Sequence, residues 1–247
     1  MNARRLFLSF LLLICMASAS RVWAASEWRI LQVGGPFHGD EIKPDLSLQW
    51  YGLFPKGEAF LLKKVKVGVR LEQDPILDRR NRKTGKRVSI DLKDEPLFLV
   101  GTRDTLPEGE VAGGVPDHTF IEPAASRELK ILRKDCRLSA EGGLEMAPGG
   151  RWWLKDKRYK PYRILLNEGG ASQILSETDS LFRGSFLTGP GAHPYVEWAG
   201  DLDRDGRMDI LLNQASDNVT HWILYLSSKA KSGELVGKVA ELQTTGC

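Results

Sequence analysis

Four aspartates crowd into nine residues near the C-terminal end of the chain, and their spacing suits one specific chemistry. They are Asp201, Asp203, Asp205 and Asp209. Their carboxylates can converge only if the chain turns sharply, and Gly206 stands where that turn needs a residue without a Cβ atom. The carbonyl of Arg207 would add a further oxygen. Oxygen ligands of this kind suit a hard divalent cation, so the spacing predicts a Ca²⁺ site.

The end of this loop differs from that of a helical calcium hand, whose twelfth residue is a bidentate glutamate. Counted from Asp201, the twelfth residue is Leu212, inside an apolar run, so Asp209 must close the cage. The alternative is a solvated acidic turn. Four like charges so close together repel one another, and a divalent ion reverses that penalty. A structural ion is favoured over one that takes part in ligand binding or catalysis, because no second acidic cluster lies nearby in the sequence.

The segment from Trp198 to Leu212 resembles the second half of an FG-GAP or VCBS-type repeat, the calcium-bearing hairpin of integrin-alpha-like β-propeller blades. The shared pattern is Asp-x-Asp-x-Asp-Gly-x-x-Asp followed by aliphatic residues, and it covers about 15 of the 247 residues. The resemblance implies a calcium loop over residues 201–209 between two antiparallel strands. It also implies the four aspartates as side-chain ligands and Arg207 as a ligand through its backbone. One copy is present, whereas propellers need about three or more repeats.

The N-terminus has the pattern of a secretory signal peptide. Arg4 and Arg5 precede the apolar run Leu6–Met16, and small residues follow it. The run is shorter than the roughly 20 residues of a membrane-spanning helix. Cleavage is predicted after Ala24, with Ala19 as the second choice, so residues 1–24 are assigned as the leader. The protein is therefore expected in the periplasm or outside the cell, exported by the general secretory or the twin-arginine route, with no transmembrane segment in its mature form.

The charge balance changes when the leader is removed. The full chain has 35 basic and 32 acidic residues, and loss of Arg4, Arg5 and Arg21 leaves 32 of each. A neutral mature protein offers no case for nucleic-acid binding. One basic cluster remains, between Asp78 and Arg87. It is predicted to be a hairpin tip, or alternatively a patch for an anionic ligand or the envelope surface.

Two cysteines remain after processing, Cys136 and Cys247. In an oxidising compartment they could form a disulfide, which would tie down the C-terminus and close a loop of about 110 residues. The alternative is a buried Cys136 and a disordered terminal thiol.

The remaining sequence predicts a mostly β protein, an antiparallel sandwich or barrel. Runs of β-branched and aromatic residues alternate with Gly, Pro, Asp and Asn, and helical periodicity is scarce. Ala59–Leu71 is one such predicted strand. Residues 25–103 are predicted to be an N-terminal β region and residues 127–247 a C-terminal β region. Residues 104–126, rich in Gly, Pro and Glu, are predicted to be a linker or a long functional loop.

The sequence favours a binding or structural role over catalysis. It lacks His-Glu-x-x-His, Gly-x-Ser-x-Gly and a phosphate-binding glycine loop, and its four histidines are scattered. Trp152 and Trp153 must face opposite sides of a strand, so one could be exposed to stack on an envelope glycan or protein. The alternative is that both rings pack inside the protein. The function expected is that of an exported calcium-binding envelope protein, with a calcium-dependent envelope hydrolase as the competing class.

Overall fold

A computed structural model describes residues 27–80, 82–129, 132, 136–146, 157–179, 181–183, 193–214 and 219–245. Within these ranges the chain is built from strands and one 3₁₀ turn, Ser227–Lys229. The strands in chain order are β1 (Trp28–Leu31), β2 (Gly34–Phe37), β3 (Gln49–Lys56), β4 (Ala59–Val65), β5 (Val67–Glu72), β6 (Gly85–Ile90), β7 (Phe98–Thr102), β8 (Gly109–Val111), β9 (Gly113–Gly114), β10 (Ser126–Leu129), β11 (Cys136–Met146), β12 (Lys157–Glu168), β13 (Ala171–Thr178), β14 (Leu181–Arg183), β15 (Tyr195–Gly200), β16 (Asp209–Asn213), β17 (Val219–Leu226) and β18 (Gly237–Thr245).

The described strands form four sheets, and every strand pair among them is antiparallel. Sheet A has the order β1-β7-β3-β4-β8, and the smaller sheet B has the order β2-β6-β5. Sheet C has the order β18-β17-β16-β15-β9. Sheet D has the order β10-β11-β12-β13, with β14 also paired to β12.

Sheet C is the central layer, because it contributes residues to two hydrophobic cores. Leu211 of β16 packs in the first core, together with residues of sheets A and B. Its neighbours Ile210 and Leu212 pack in the second core, with residues of sheet D. Adjacent residues of a strand point to opposite faces, so a strand buried on both faces must be apolar throughout. The run Asp209–Asn213 is buried at every position.

The predicted fold class, a mostly β protein with antiparallel sheets in a sandwich or barrel, is confirmed, and the arrangement is consistent with a sandwich. One predicted strand is wrong in its extent. Ala59–Leu71 is divided at Lys66 into β4 of sheet A and β5 of sheet B. The alternation of polar and apolar residues continues across Lys66. The break is therefore visible only in the strand pairing, because β4 pairs with β3 and β8 whereas β5 pairs with β6. At the break, the Lys66 amide donates to Asp91 Oδ1 at 2.8 Å.

Residues 104–126, where a linker or long loop is predicted, contain two short strands that belong to different sheets. Gly109–Val111 pairs with β4 of sheet A, and Gly113–Gly114 pairs with β15 of sheet C. This segment therefore runs along the edges of both sheets and reaches the C-terminal hairpin that carries the acidic loop.

Among the described residues, no helix is long and apolar enough to cross a membrane.

Candidate metal site

The acidic loop closes the hairpin between β15 and β16 at one end of the central sheet. Gly200 and Asp209 are paired across the hairpin, and residues 201–208 connect them. The Asp201 amide donates to the Ala112 carbonyl at 2.9 Å, which joins the start of the loop to the segment between β8 and β9. The backbone at the ends of the loop is thus held by the β15–β16 pairing and by the β8–β9 segment, independently of the carboxylates.

Asp209 lies at the base of the loop and is fully buried. Its Oδ2 accepts from the Leu202 amide at 2.8 Å, and its Oδ1 accepts from the Ser227 amide at 2.8 Å and from the Ser227 hydroxyl at 3.1 Å. Burial raises the pKa of Asp209 to about 8, and the charge of Asp203 adds to the rise, despite these hydrogen bonds. The ionised form of this side chain therefore lacks a compensating positive charge.

Asp201 and Asp203 bring two further carboxylates to the same point. One oxygen from each of Asp201, Asp203 and Asp209 lies within 4.8 Å of the others, so the three could hold a metal ion. Asp201 Oδ1 and Asp203 Oδ1 are buried and have no hydrogen-bond partner among the described residues. Burial raises the pKa of Asp201, and the charges of Asp205 and Asp203 add to the effect. Buried carboxylate oxygens without a donor are rare, and a bound cation would satisfy them.

Asp205 is not among the converging three. Its Oδ1 accepts from the Arg207 amide at 2.8 Å, and its Oδ2 accepts from the Ser227 hydroxyl at 2.8 Å. Since the Ser227 amide donates to Asp209 Oδ1, Asp205 is joined to the group through Ser227. The expectation that Asp205 is a direct ligand stays a prediction.

Arg207, whose carbonyl is expected to be a ligand, connects the loop to other strands through its side chain. The guanidinium donates to the Leu235 carbonyl at 3.2 Å and to the Ser227 carbonyl at 3.4 Å. It therefore fastens the loop to the ends of the β17–β18 hairpin. Its carbonyl as a ligand remains a prediction.

Two backbone positions allow the loop to turn. Gly206 has φ of +78°, and its amide donates to Asp201 Oδ2 at 3.0 Å. Arg204 has φ of +61°, which is uncommon for a residue with a Cβ atom. Its guanidinium donates to the carbonyls of Glu108 at 3.0 Å and Glu110 at 2.9 Å. These bonds help to offset the backbone strain at Arg204.

Two serines that sequence reasoning missed complete the surroundings of the group. Ser227, at the end of β17, contacts Asp205 and Asp209, while the Ser228 hydroxyl bonds to Asp203 Oδ2. Both lie well beyond the acidic run and reach it because β17 pairs with β16. No local sequence signal marks them, since serine is common in turns.

The other predicted site residues are not brought to this loop by any described contact. Trp152 and Trp153 lie outside the described residues, so ligand stacking there stays a prediction. Cys136 is buried in β11, and Cys247 lies outside the described residues, so the disulfide also stays a prediction. The proposed leader, residues 1–24, lies outside them as well.

Comparison of the chain with protein-family models, with curated proteins and with solved structures found no match.

Proposed function

We propose that this protein is an exported Ca²⁺-binding β protein of the cell envelope, in which the ion mainly stabilises the fold and the protein serves a binding or structural role. The observation that carries the metal assignment is the convergence of Asp201, Asp203 and Asp209. Two of these carboxylates have a buried oxygen to which no described residue donates a hydrogen bond.

Calcium is the ion whose chemistry fits this group best. All candidate ligands are oxygens, and Ca²⁺ accepts six to eight oxygens in flexible geometry, whereas Mg²⁺ demands a tighter octahedron. The group has no cysteine or histidine, which zinc and copper usually require. Asp205 and the Arg207 carbonyl are proposed as additional ligands, reached when the Asp205 bond to the Ser227 hydroxyl is exchanged for the ion.

A structural role follows from the position of the loop. Its contacts extend to the β8–β9 segment through Asp201 and to the end of β17 through Asp209 and Ser227. An ion held by Asp201, Asp203 and Asp209 would therefore connect neighbouring strands of the central sheet, which contributes to both cores. Its removal would leave repelling carboxylates at the end of that sheet.

Export is supported by the sequence pattern of residues 1–24 alone. The secreted protein should begin at Ala25 or, with the alternative cleavage, at Ser20. Mass spectrometry of the protein recovered from the periplasm or medium measures this directly. A secreted product that still contains Arg4 would overturn the assignment of the leader.

Calorimetry of the mature protein in Ca²⁺, in Mg²⁺ and in EDTA tests the metal. Because the unfolded chain scarcely binds the ion, Ca²⁺ at a hundredfold excess over Kd should stabilise the fold by about 2.7 kcal/mol. For a chain of this size that corresponds to a rise in Tm of roughly 5–10 °C. Mg²⁺ should give a much smaller rise.

Asp203→Asn tests the metal site most directly, because it keeps the shape of the side chain and removes one charge from the group. Its Tm in EDTA should equal or slightly exceed that of the wild type, since carboxylate repulsion falls, while the Ca²⁺-dependent rise should largely disappear. Asp94→Asn, in the exposed β6–β7 connection, is the matched control and should keep the full rise. If the wild type shows no Ca²⁺-dependent shift, the loop is an acidic turn and the proposed metal site is wrong.

A further inference from the structure

The connection between β5 and β6, residues 73–84, presents aliphatic side chains to solvent. Ile76 is 58 % exposed and Leu77 is 57 % exposed, and both lie in the turn at its apex. Leu71, in the last part of β5, is 60 % exposed. We call residues 71–80 and 82–84 the β5–β6 tip. Single exposed aliphatic residues are ordinary, but three within seven residues concentrate exposed apolar surface at one hairpin end.

Asp74 connects the turn that carries Ile76 and Leu77 to the rest of the protein. Its side chain is fully buried, and its Oδ1 accepts from the amides of Ile76 at 2.9 Å and Leu77 at 3.0 Å. Its Oδ2 lies 2.6 Å from His38 Nδ1, in the connection that follows β2. The two exposed side chains therefore stand on a turn whose backbone is tied to the body of the protein.

Asp78 also stabilises the β5–β6 connection, through hydrogen bonds to residues on both sides of it. Its Oδ2 accepts from the amides of Asp74 at 2.8 Å and Thr84 at 2.7 Å, and its Oδ1 accepts from the Thr84 hydroxyl at 2.7 Å. Desolvation opposes ionisation of Asp78, but these hydrogen bonds, together with a smaller effect of the Arg82 charge, outweigh it and lower its pKa to about 2. Both acidic side chains of the apex are thus turned inward and used to hold the turn.

The outward charges of the tip are all positive. Arg79, Arg80, Arg82 and Lys83 follow the apex and are exposed. Among the described residues, none of these four has a carboxylate within ion-pair distance. The nearby Glu72 pairs with Arg87, where Arg87 Nε lies 2.8 Å from Glu72 Oε2. The acidic residues of this hairpin therefore leave the exposed cations available to an external anion.

We propose that the β5–β6 tip docks on an anionic lipid bilayer, with Ile76, Leu77 and Leu71 entering the interfacial region while the four cations contact lipid headgroups. Aliphatic side chains beside cations suit a surface that is apolar below and anionic above. A nucleic acid would use the cations but offers no apolar phase for Ile76 and Leu77. The hydrogen bonds of Asp74 to the turn reduce the cost of insertion, because less backbone freedom is lost on binding.

This inference adds a partner to the proposed envelope protein and does not require the metal. The tip belongs to sheet B, and the acidic loop belongs to sheet C. Vesicle binding is therefore expected in EDTA as well as in Ca²⁺, provided that the protein is folded at the temperature used. Either proposal can fail while the other stands.

Sedimentation of the mature protein with vesicles tests the proposal. Binding is expected to vesicles of phosphatidylcholine mixed with an equal amount of phosphatidylglycerol, and much weaker binding to phosphatidylcholine alone. Raised salt should weaken it. Ile76→Ser with Leu77→Ser should reduce the affinity for mixed vesicles by at least about tenfold. Arg79→Gln with Arg80→Gln should reduce it by roughly fivefold for each charge removed.

Two pairs of substitutions serve as matched controls. Leu144→Ser with Ile174→Ser removes one leucine and one isoleucine of similar exposure from sheet D, 52 % and 48 %. Lys66→Gln with Lys93→Gln removes two exposed cations at the opposite end of the β5–β6 hairpin. Both controls should bind mixed vesicles like the wild type, and all variants should keep the wild-type Tm.

Three results would overturn the proposal. One is the absence of binding to mixed vesicles. Another is equal vesicle binding by the wild type and the Ile76→Ser, Leu77→Ser variant, which would leave only a cationic patch. The third is tight binding of soluble polyglutamate or single-stranded DNA with no vesicle binding, which would indicate an acidic protein or nucleic acid as the partner.

Discussion

Asp209 combines complete burial with hydrogen bonds that satisfy both of its oxygens. Those bonds come from the amides of Leu202 and Ser227 and from the Ser227 hydroxyl. They hold the carboxylate in one orientation, yet burial still raises its pKa to about 8. Hydrogen bonds from neutral donors therefore do not offset the burial of this charge, which supports the proposed cation.

His38 offers a residue-scale test that is separate from the metal. Its hydrogen bond to Asp74 raises the pKa of His38 above 6.5. Burial of Asp74 works against its ionisation, but the His38 bond and the amides of Leu77 and Ile76 leave its pKa below 3.8. The stabilisation from His38 is full below pH 6.5 and is lost as the pH rises through its folded pKa. That from Asp74 is present above pH 3.8 and is lost as the pH falls through its folded pKa.

His38→Gln should accordingly lower the Tm more at about pH 5.5 than at about pH 9, where the imidazole of the wild type is neutral. Thermal unfolding of both proteins at the two pH values measures the difference. An equal loss at both values would mean that the imidazolium–carboxylate pair contributes nothing beyond packing.

At the scale of elements, the acidic loop depends on a strand edge that lies about a hundred residues earlier in the chain. Arg204 reaches the carbonyls of Glu108 and Glu110 on either side of Gly109 at the start of β8. Asp201 is tied to Ala112 just before β9. A segment whose composition predicts a linker or loop thus serves as a support for the hairpin that carries the carboxylates.

Arg204→Gln should release this support. The two bonds donated by an exposed guanidinium should contribute together about 1 kcal/mol, so the Tm should fall by roughly 2–4 °C. Arg204→Lys is the matched control, because it keeps the charge and the positive φ cost while it can restore one of the two bonds. Chemical denaturation or calorimetry should show that the stability of the Arg204→Lys variant lies between that of the Arg204→Gln variant and that of the wild type. A Gln variant as stable as the wild type would show that the two hydrogen bonds from Arg204 to Glu108 and Glu110 do not contribute to stability.

For the whole molecule, the central position of sheet C should couple the two cores. Leu211 and Leu212 are both fully buried and adjacent in β16, and they point into different cores. Residues of the predicted N-terminal and C-terminal β regions therefore meet on one sheet. Loss of packing in either core should weaken the same strand.

Leu211→Ala and Leu212→Ala should each destabilise the protein by about 2–5 kcal/mol, the usual cost of a cavity in a core. Calorimetry should show one cooperative transition in both variants, shifted to lower temperature. Two transitions, one moved by each variant, would contradict the coupling and indicate separately folding units.

The predicted disulfide is also a property of the whole molecule, because it would span about half of the chain. Cys136 is 2 % exposed in β11. A bridge to Cys247 would contribute up to roughly 4–5 kcal/mol in the loop-entropy model. Peptide mapping of periplasmic protein without reductant should recover the linked pair, and reduction should lower the Tm. Two alkylatable thiols in freshly isolated protein would rule the bridge out.

The sequence by itself determined the features that depend on local order. Alternating and apolar runs predicted the β class, and the spacing of Asp201, Asp203, Asp205 and Asp209 around Gly206 predicted four converging carboxylates. Three of them, Asp201, Asp203 and Asp209, lie together in the structure. Short-range geometry suffices for both, since side-chain alternation and a positive-φ turn are set within a few residues.

Only the tertiary structure decided the rest. It separated β4 from β5 at Lys66, placed Ser227 and Ser228 beside the carboxylates, and bound Asp205 to a serine hydroxyl. These outcomes depend on which strands pair across long separations in sequence. Such pairing is set by the burial of whole sheet faces rather than by the residues on either side of the position concerned.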